Sequence, residues 1–218
     1  MKKIILTLPL IALINFISYS QSEMRDLFNP ETKIYWMGLD FTSTKFIGFS
    51  KEIGSNPILK TREDLRDSMF VLWNDLMLDQ SEKFNIQKAF RSSNFEVFFE
   101  PVMEANSKTN LEGKIEGAPT NLIKDDIQDI VSRYEIDGKE GIGIVIIVEI
   151  LNKPEARGTV ITAMIDLSSK QLLHYIRGKH VSAGFGLRNY WASVIYREIK
   201  EIQKRKYNAL KKHFDPRE

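Results

Sequence analysis

From residue 142 onward the chain alternates between long apolar stretches and short polar breaks. Ile142 to Leu151 is almost continuously apolar and β-branched, interrupted only by Gly143 and Glu149, which predicts a central strand covered on both faces. Lys153-Pro154-Glu155 turns the chain and Gly158 to Leu167 forms the next strand. Ser168-Ser169-Lys170 turns it again, and Gln171 to Val181 forms a third. These connections are short enough for hairpins, so the three strands are expected to be consecutive antiparallel neighbours. After the small-residue loop Ser182-Ala183-Gly184-Phe185-Gly186, the set Tyr190, Trp191, Val194, Ile195, Ile199 and Ile202 recurs at helical spacing. That spacing predicts a closing helix from Leu187 to about Lys212, with a Lys/Arg-rich end that complements the helix dipole.

The first half carries the same signals more sparsely. Lys33 to Phe41 reads as a strand, followed by a loop from Thr42 to Asn56 that holds Gly48 and Gly54. Asn56-Pro57 marks a helix entry, and Leu65, Met69, Leu72, Trp73 and Leu76 carry that helix to about Gln80. Phe95 to Met103 is a second strand candidate. Thr120 to Tyr134 is an amphipathic helix with Leu122, Ile123, Ile127, Ile130, Val131 and Tyr134 on one face. The order is β-α-β-α-β-β-β-α, and the expected fold class is α/β (α+β): one mixed five-stranded sheet with helices packed on it.

One apolar run stands apart. Lys2 and Lys3 precede Ile4 to Ile17, which is broken only by Thr7, Pro9 and Asn15, and Ser18-Tyr19-Ser20 follows. A positive segment, an apolar segment and small residues before a cut ahead of Gln21 form a secretory signature. The run is shorter than the roughly 20 apolar residues that a spanning helix needs. Residues 1–20 are therefore read as a signal peptide and 21–32 as a flexible lead-in. A single domain occupies 33–213, and 214–218 form a tail. The expectation is an exported chain, periplasmic or extracellular, with no integral membrane span after cleavage.

The element order has a counterpart. A strand ending near Asp40, a long helix, a short strand, a helix leading into a long apolar strand, two hairpins and a closing helix follow one another. The second hairpin is centred on Asp166-Leu-Ser-Ser-Lys-Gln-Leu. Over residues 33–205 this resembles the N-terminal domain of TolB and the related domain of CsgG. No propeller follows, as it does in TolB, and the pore hairpins and lipidated cysteine of CsgG are missing. The resemblance implies a fold and a cell-envelope setting, with another envelope protein as partner. It implies no activity, because function belongs to sites and not to folds.

Charge sharpens this picture. The chain has 31 Lys+Arg against 29 Asp+Glu and a pI of about 8.6. Removing residues 1–20 takes away Lys2 and Lys3 and no acid, leaving 29 against 29, so the exported chain has no overall electrostatic drive toward nucleic acid. There is no cysteine, which excludes thiol catalysis, thiolate-held metals and a disulfide framework.

Candidate chemistry is sparse. His174 and His180 share one face of a strand but lie six residues apart, about 20 Å by strand rise, and His213 sits in a charged tail, so all three read as solvated. No calcium-loop spacing, Gly-x-Ser-x-Gly elbow or His-Glu-x-x-His occurs, and no metal or organic cofactor is expected. Gly184, Gly186, Arg188 and Asn189 open a helix whose backbone N–H groups suit an anion; a flexible connector is the competing account. Asp40 ends the first strand beside Thr42, Ser43 and Thr44, where α/β sheets often bind ligands; a turn-capping Asp explains it equally. Glu149 interrupts a buried strand and is expected at the strand's exposed end or paired with Arg157 across the hairpin. The residues point to a non-catalytic binding or assembly module of the envelope. The alternative is a cofactor-free hydrolase or small-anion binder using Asp40, Glu149 and the Gly184–Asn189 loop.

Overall fold

The computed structural model describes residues 23–215; the signal peptide expected at 1–20 and the last residues of the tail lie outside the described residues. Six strands form one open mixed sheet. They are β1 (Ile34–Asp40), β2 (Lys45–Ile47), β3 (Phe95–Val97), β4 (Ile142–Asn152), β5 (Arg157–Asp166) and β6 (Gln171–Val181). The order is β3-β1-β4-β5-β6, with β2 pairing the end of β4. β4, β5 and β6 are successive antiparallel hairpins, as their short turns require. β1 pairs parallel to both β3 and β4, and β2 runs parallel to β4. Parallel pairs need crossover connections, and the helices supply them.

The helices are α1 (Phe70–Asp79), α2 (Ile86–Ala89), α3 (Glu100–Ser107), α4 (Lys124–Ser132), α5 (Leu187–Glu201) and α6 (Tyr207–Phe214). A π-helical turn, Leu65–Met69, leads into α1, and another, Ile202–Lys206, joins α5 to α6. None of the described helices is long and apolar enough to cross a membrane. One face of the sheet is covered by α1, α2, α5 and α6. There Ile144, Ile146 and Val148 of β4 meet Trp73 and Trp191, all buried. Phe41 stacks between Phe70 and Trp73 at 4.5 and 5.3 Å, an arrangement that adds directional attraction to plain burial. The other face is covered by α4 and the inner side of α3, with Tyr35, Val145 and Ile147 against Ile127, Ile130 and Val131. Cover on both faces explains why β4 is apolar at nearly every position.

Three expectations need correction. The segment Phe95–Met103 is strand only to Val97 and then turns into α3. Its aromatic, β-branched letters read as strand, yet Pro101 fits the first helical turn, where its missing N–H costs nothing. The loop Thr42–Asn56 contains β2, too short to show a pattern. The helix expected from Asn56-Pro57 begins near residue 63, because Asn56 instead accepts the Ile58 N–H in a local turn.

The end of β1 is built with unusual care. Gly38 lies at φ +93° in a bulge that shifts the register with β4 between Trp36 and Leu39. β3 has already ended there, so the outer backbone of β1 has no strand to bond. Two buried asparagines replace it. Asn74 of α1 accepts the Leu39 N–H at 2.8 Å and donates to the Leu39 carbonyl. Asn106 of α3 accepts the Phe41 N–H at 2.8 Å and donates to the same carbonyl. A Cβ on residue 38 would lie 2.6 Å from the Asn74 Oδ1, so glycine is required twice over. This clamp fixes where Asp40 and Thr42 stand.

Candidate functional site

The chain passes from β1 to β3 on one side of β1 and from β3 to β4 on the other, so β1 stands at the switch point of the parallel strands, where α/β folds place ligands. β2 and a bridge between Phe46 and Ile115 fill the space directly beyond β1 and β4. What remains open is a cleft of about 350 Å³ on the α3–α4 side, lined by Thr42, Lys108, Asn110, Lys114, Arg133 and Tyr134 among others. Its size is that of a small-molecule site.

Asp40 does not line this cleft itself but lies fully buried behind two residues that do, Thr42 and Tyr134. Its Oδ1 accepts the Thr42 N–H at 2.7 Å and the Thr42 hydroxyl at 2.6 Å, and its Oδ2 accepts the Tyr134 hydroxyl at 2.5 Å. Burial raises its pKa above the usual 3.8, against the opposing hydrogen bonds from Thr42 and Tyr134. Burial and the Asp40 charge together hold the Tyr134 hydroxyl protonated, well above its usual range. Asp40 is thus a turn cap whose oxygens are all engaged.

The raised pKa sets a sign. The folded chain keeps the Asp40 proton at pH values where the unfolded chain has lost it. Its contribution to stability is therefore complete below the ordinary pKa and is lost as pH rises through the raised value. An Asp40→Asn chain, which preserves the acceptor for Thr42, is expected to be at least as stable as wild type at neutral pH. Its stability relative to wild type should improve from acid to neutral. Urea titrations at several pH values check this, and a relative stability that worsens with rising pH would refute the buried, proton-favouring environment.

Three cations, Lys108, Lys114 and Arg133, and two carboxylates, Glu104 and Glu135, line the cleft. Lys108 is neutralised by Glu104 and Glu135 at the rim. Lys114 donates to the Thr42 carbonyl at 2.5 Å, and burial, with Lys45 and Arg133 nearby, lowers its pKa against the pull of Asp40. Among the described residues neither Lys114 nor Arg133 has a carboxylate within salt-bridge distance.

The other expected site residues stand elsewhere. Glu149 does not meet Arg157. Arg177 of β6 grips it through Nε at 2.9 Å and Nη2 at 3.1 Å, and the Leu122 N–H gives a third bond at 2.6 Å. α4 starts later than its apolar pattern suggests because Ile123 is extended and its N–H is capped by the Asp126 side chain at 2.8 Å. Gly186, Arg188 and Asn189, at the start of α5, line a separate apolar groove with Asn56, Ile58 and Leu72, and Gly184 lies just before them. None of them lines the Asp40 cleft, so Asp40, Glu149 and Arg188 do not converge. Phe185, between the two glycines, is 96% exposed.

The histidines are not simply solvated. His174 is half-buried against Phe214, and burial, with His213 adding to it, lowers its pKa. His180 belongs to a cluster that no local motif announced. The fully buried Glu198 of α5 meets His180 Nε2 at 2.6 Å, Lys206 Nζ at 2.8 and 2.9 Å and the Thr162 hydroxyl at 3.1 Å. His180, Glu198 and Glu201 hold donor atoms within 4.8 Å of one another, and the cation among them is the Lys206 ammonium. The π-helical turn brings Lys206 back over Glu198. A charge on the apolar stripe of α5 was the available signal, the same one that singled out Glu149.

Compared with known protein families and with curated proteins, the chain matches no family model and no curated sequence.

Proposed function

We propose that this protein is an exported, non-catalytic binding module that takes a small anionic ligand, a phosphate or carboxylate group, in the cleft beyond β1. One observation carries the reading. The buried carboxylate at the switch point, Asp40, is engaged by structural hydrogen bonds, whereas Lys114 and Arg133 line the cleft with no carboxylate within salt-bridge distance among the described residues. A half-buried ammonium whose pKa is lowered gains from an arriving anion, which restores the charge balance that burial removed. Guanidinium adds a planar fork suited to carboxylate and phosphate. Catalysis fits less well, because Asp40 and Glu149 have no free oxygen to act as base or nucleophile. Export rests on the order of Lys2-Lys3, the apolar run and Ser18-Tyr19-Ser20. The envelope setting rests on the resemblance in element order.

The test is calorimetric titration of the mature chain with inorganic phosphate and with short dicarboxylates. One of them is expected to bind, and Lys114→Met or Arg133→Met should each weaken that binding by about 1.5–3 kcal/mol, the value of a charge-assisted hydrogen bond. Binding unaffected by both substitutions would move the site elsewhere. Turnover of an ester or phosphoester that vanishes in Thr42→Val would instead establish a hydrolase.

A further inference from the structure

At the opposite edge of the sheet β6 is the last strand, and from Leu173 to Val181 its outer side pairs with no other strand among the described residues. Only its beginning is covered: the Gln128 side chain of α4 accepts the Leu172 N–H and donates to the Lys170 carbonyl. A strand edge left open is a row of N–H and C=O groups that templates a further strand. Beside this edge, on the α5 face, runs an open groove of about 1090 Å³. Lys179, His180 and Val181 form one wall; Arg197, Lys200 and Lys204 form the other, and Arg157 lies at the strand ends. Arg197 and Lys200 follow at i and i+3 along one side of α5, and Lys204 reaches the same groove from the π-helical turn.

The charges in the groove are unevenly satisfied. Lys179 pairs with Glu155 and Arg205 with Glu201. Among the described residues Arg157, Arg197 and Lys204 have no carboxylate partner, and neither has Lys200, which reaches the Gln203 side chain at 3.3 Å and lies over the Tyr196 ring. Beneath them the Glu198 cluster ties β6 to the helix. Gly178 makes room for it, since a Cβ there would fall 2.1 Å from Glu198 Oε2.

These two features select one kind of occupant. A strand added beside β6 sends every second side chain toward α5, into the groove. Acidic side chains there would meet the unpaired cations. A second copy of this chain, pairing β6 to β6, would set the same cations against each other, and like charges across strands repel. We propose that β6 accepts an extended acidic segment of a partner protein as a seventh strand, with alternate Asp or Glu side chains seated in the Arg197–Lys204 groove. This surface is independent of the cleft beyond β1, which lies on the other face of the sheet.

The experiment uses the mature chain and a short synthetic peptide that alternates Glu and Val. Binding is expected, with slowed hydrogen exchange at the outward-facing amides of β6 and an affinity that falls with salt. Arg197→Ala combined with Lys204→Ala should weaken it about tenfold or more, as removal of complementary charge does. The same peptide N-methylated at alternate positions should not bind, because it lacks the backbone donors. Unchanged exchange along β6, or equal binding by the methylated peptide, would overturn strand addition. Equal binding by a short oligothymidylate would overturn the choice of an acidic protein segment.

Discussion

Replacing Glu198 by alanine is expected to destabilise the fold by about 3–5 kcal/mol, the cost of leaving buried charge without its partner. The carboxylate is fully buried and receives bonds from Thr162, His180 and Lys206. The Lys206 and His180 side chains are only 19% and 11% exposed. Neither can fully regain water while α5 and α6 stay docked, so their desolvation is left uncompensated. In a chain of this size that corresponds to a fall in melting temperature of roughly 10 °C or more. The loss belongs to the broken pair and not to the absence of charge as such. Glu198→Met with Lys206→Met, which removes both ions and keeps the volume, should therefore lose much less. Urea unfolding of the two variants separates these terms. A cost below about 1 kcal/mol for Glu198→Ala would mean that water already reaches the cluster.

The second large effect is expected at Asn74. Asn74→Leu keeps the volume but leaves the Leu39 N–H without an acceptor, beside the bulge at Gly38. A buried unsatisfied backbone group costs about 1–3 kcal/mol, and the side chain's own bonds to the Leu39 and Phe70 carbonyls go as well, so the total is expected near 3–5 kcal/mol. The clamp also sets the position of Thr42, whose carbonyl anchors Lys114. Ligand affinity in the cleft should drop together with stability in this variant, while Asn74→Asp retains an acceptor and is expected to be milder. Calorimetric unfolding and titration on the same samples read both quantities. Full stability in Asn74→Leu would show that another group takes over the Leu39 N–H.

The sequence was legible where burial imposes a rule on every residue. β4, β5 and β6 announced themselves through continuous β-branched stretches and polar turns, and α5 through the stripe that includes Trp191 and Ile199. It was opaque where the deciding partner lies far along the chain. Nothing near Asn74 or Asn106 tells that both turn inward to serve Leu39, and nothing near Phe95 tells that pairing with β1 stops at Val97. Asp40 was recognised as special, and of the two readings, cap or site, the structure displays the capping bonds to Thr42 together with a bond from Tyr134 that the sequence did not announce. Lys114 and Arg133 carried no signal of their own, because a lone cation in a loop or at a helix end is ordinary until the fold removes its neighbours. Glu198 was within reach: a carboxylate between Ile195 and Ile199 on an apolar stripe must have a reason to be there.

The parallel pairing of β1 with β4 has a consequence for how the chain is made. Ile34 pairs with Ile142 and Asp40 with Ile147, about half the chain away, whereas β4, β5 and β6 find one another through adjacent turns. While a ribosome is still adding residues before 142, β1 has only the three residues of β3 to pair with, and a two-stranded ribbon of that length does not hold together in water. The first two thirds of the polypeptide therefore emerge before there is a sheet to join. Folding waits for the hairpins of the last third, which form a local platform onto which β1 and its two asparagine-bearing helices then dock.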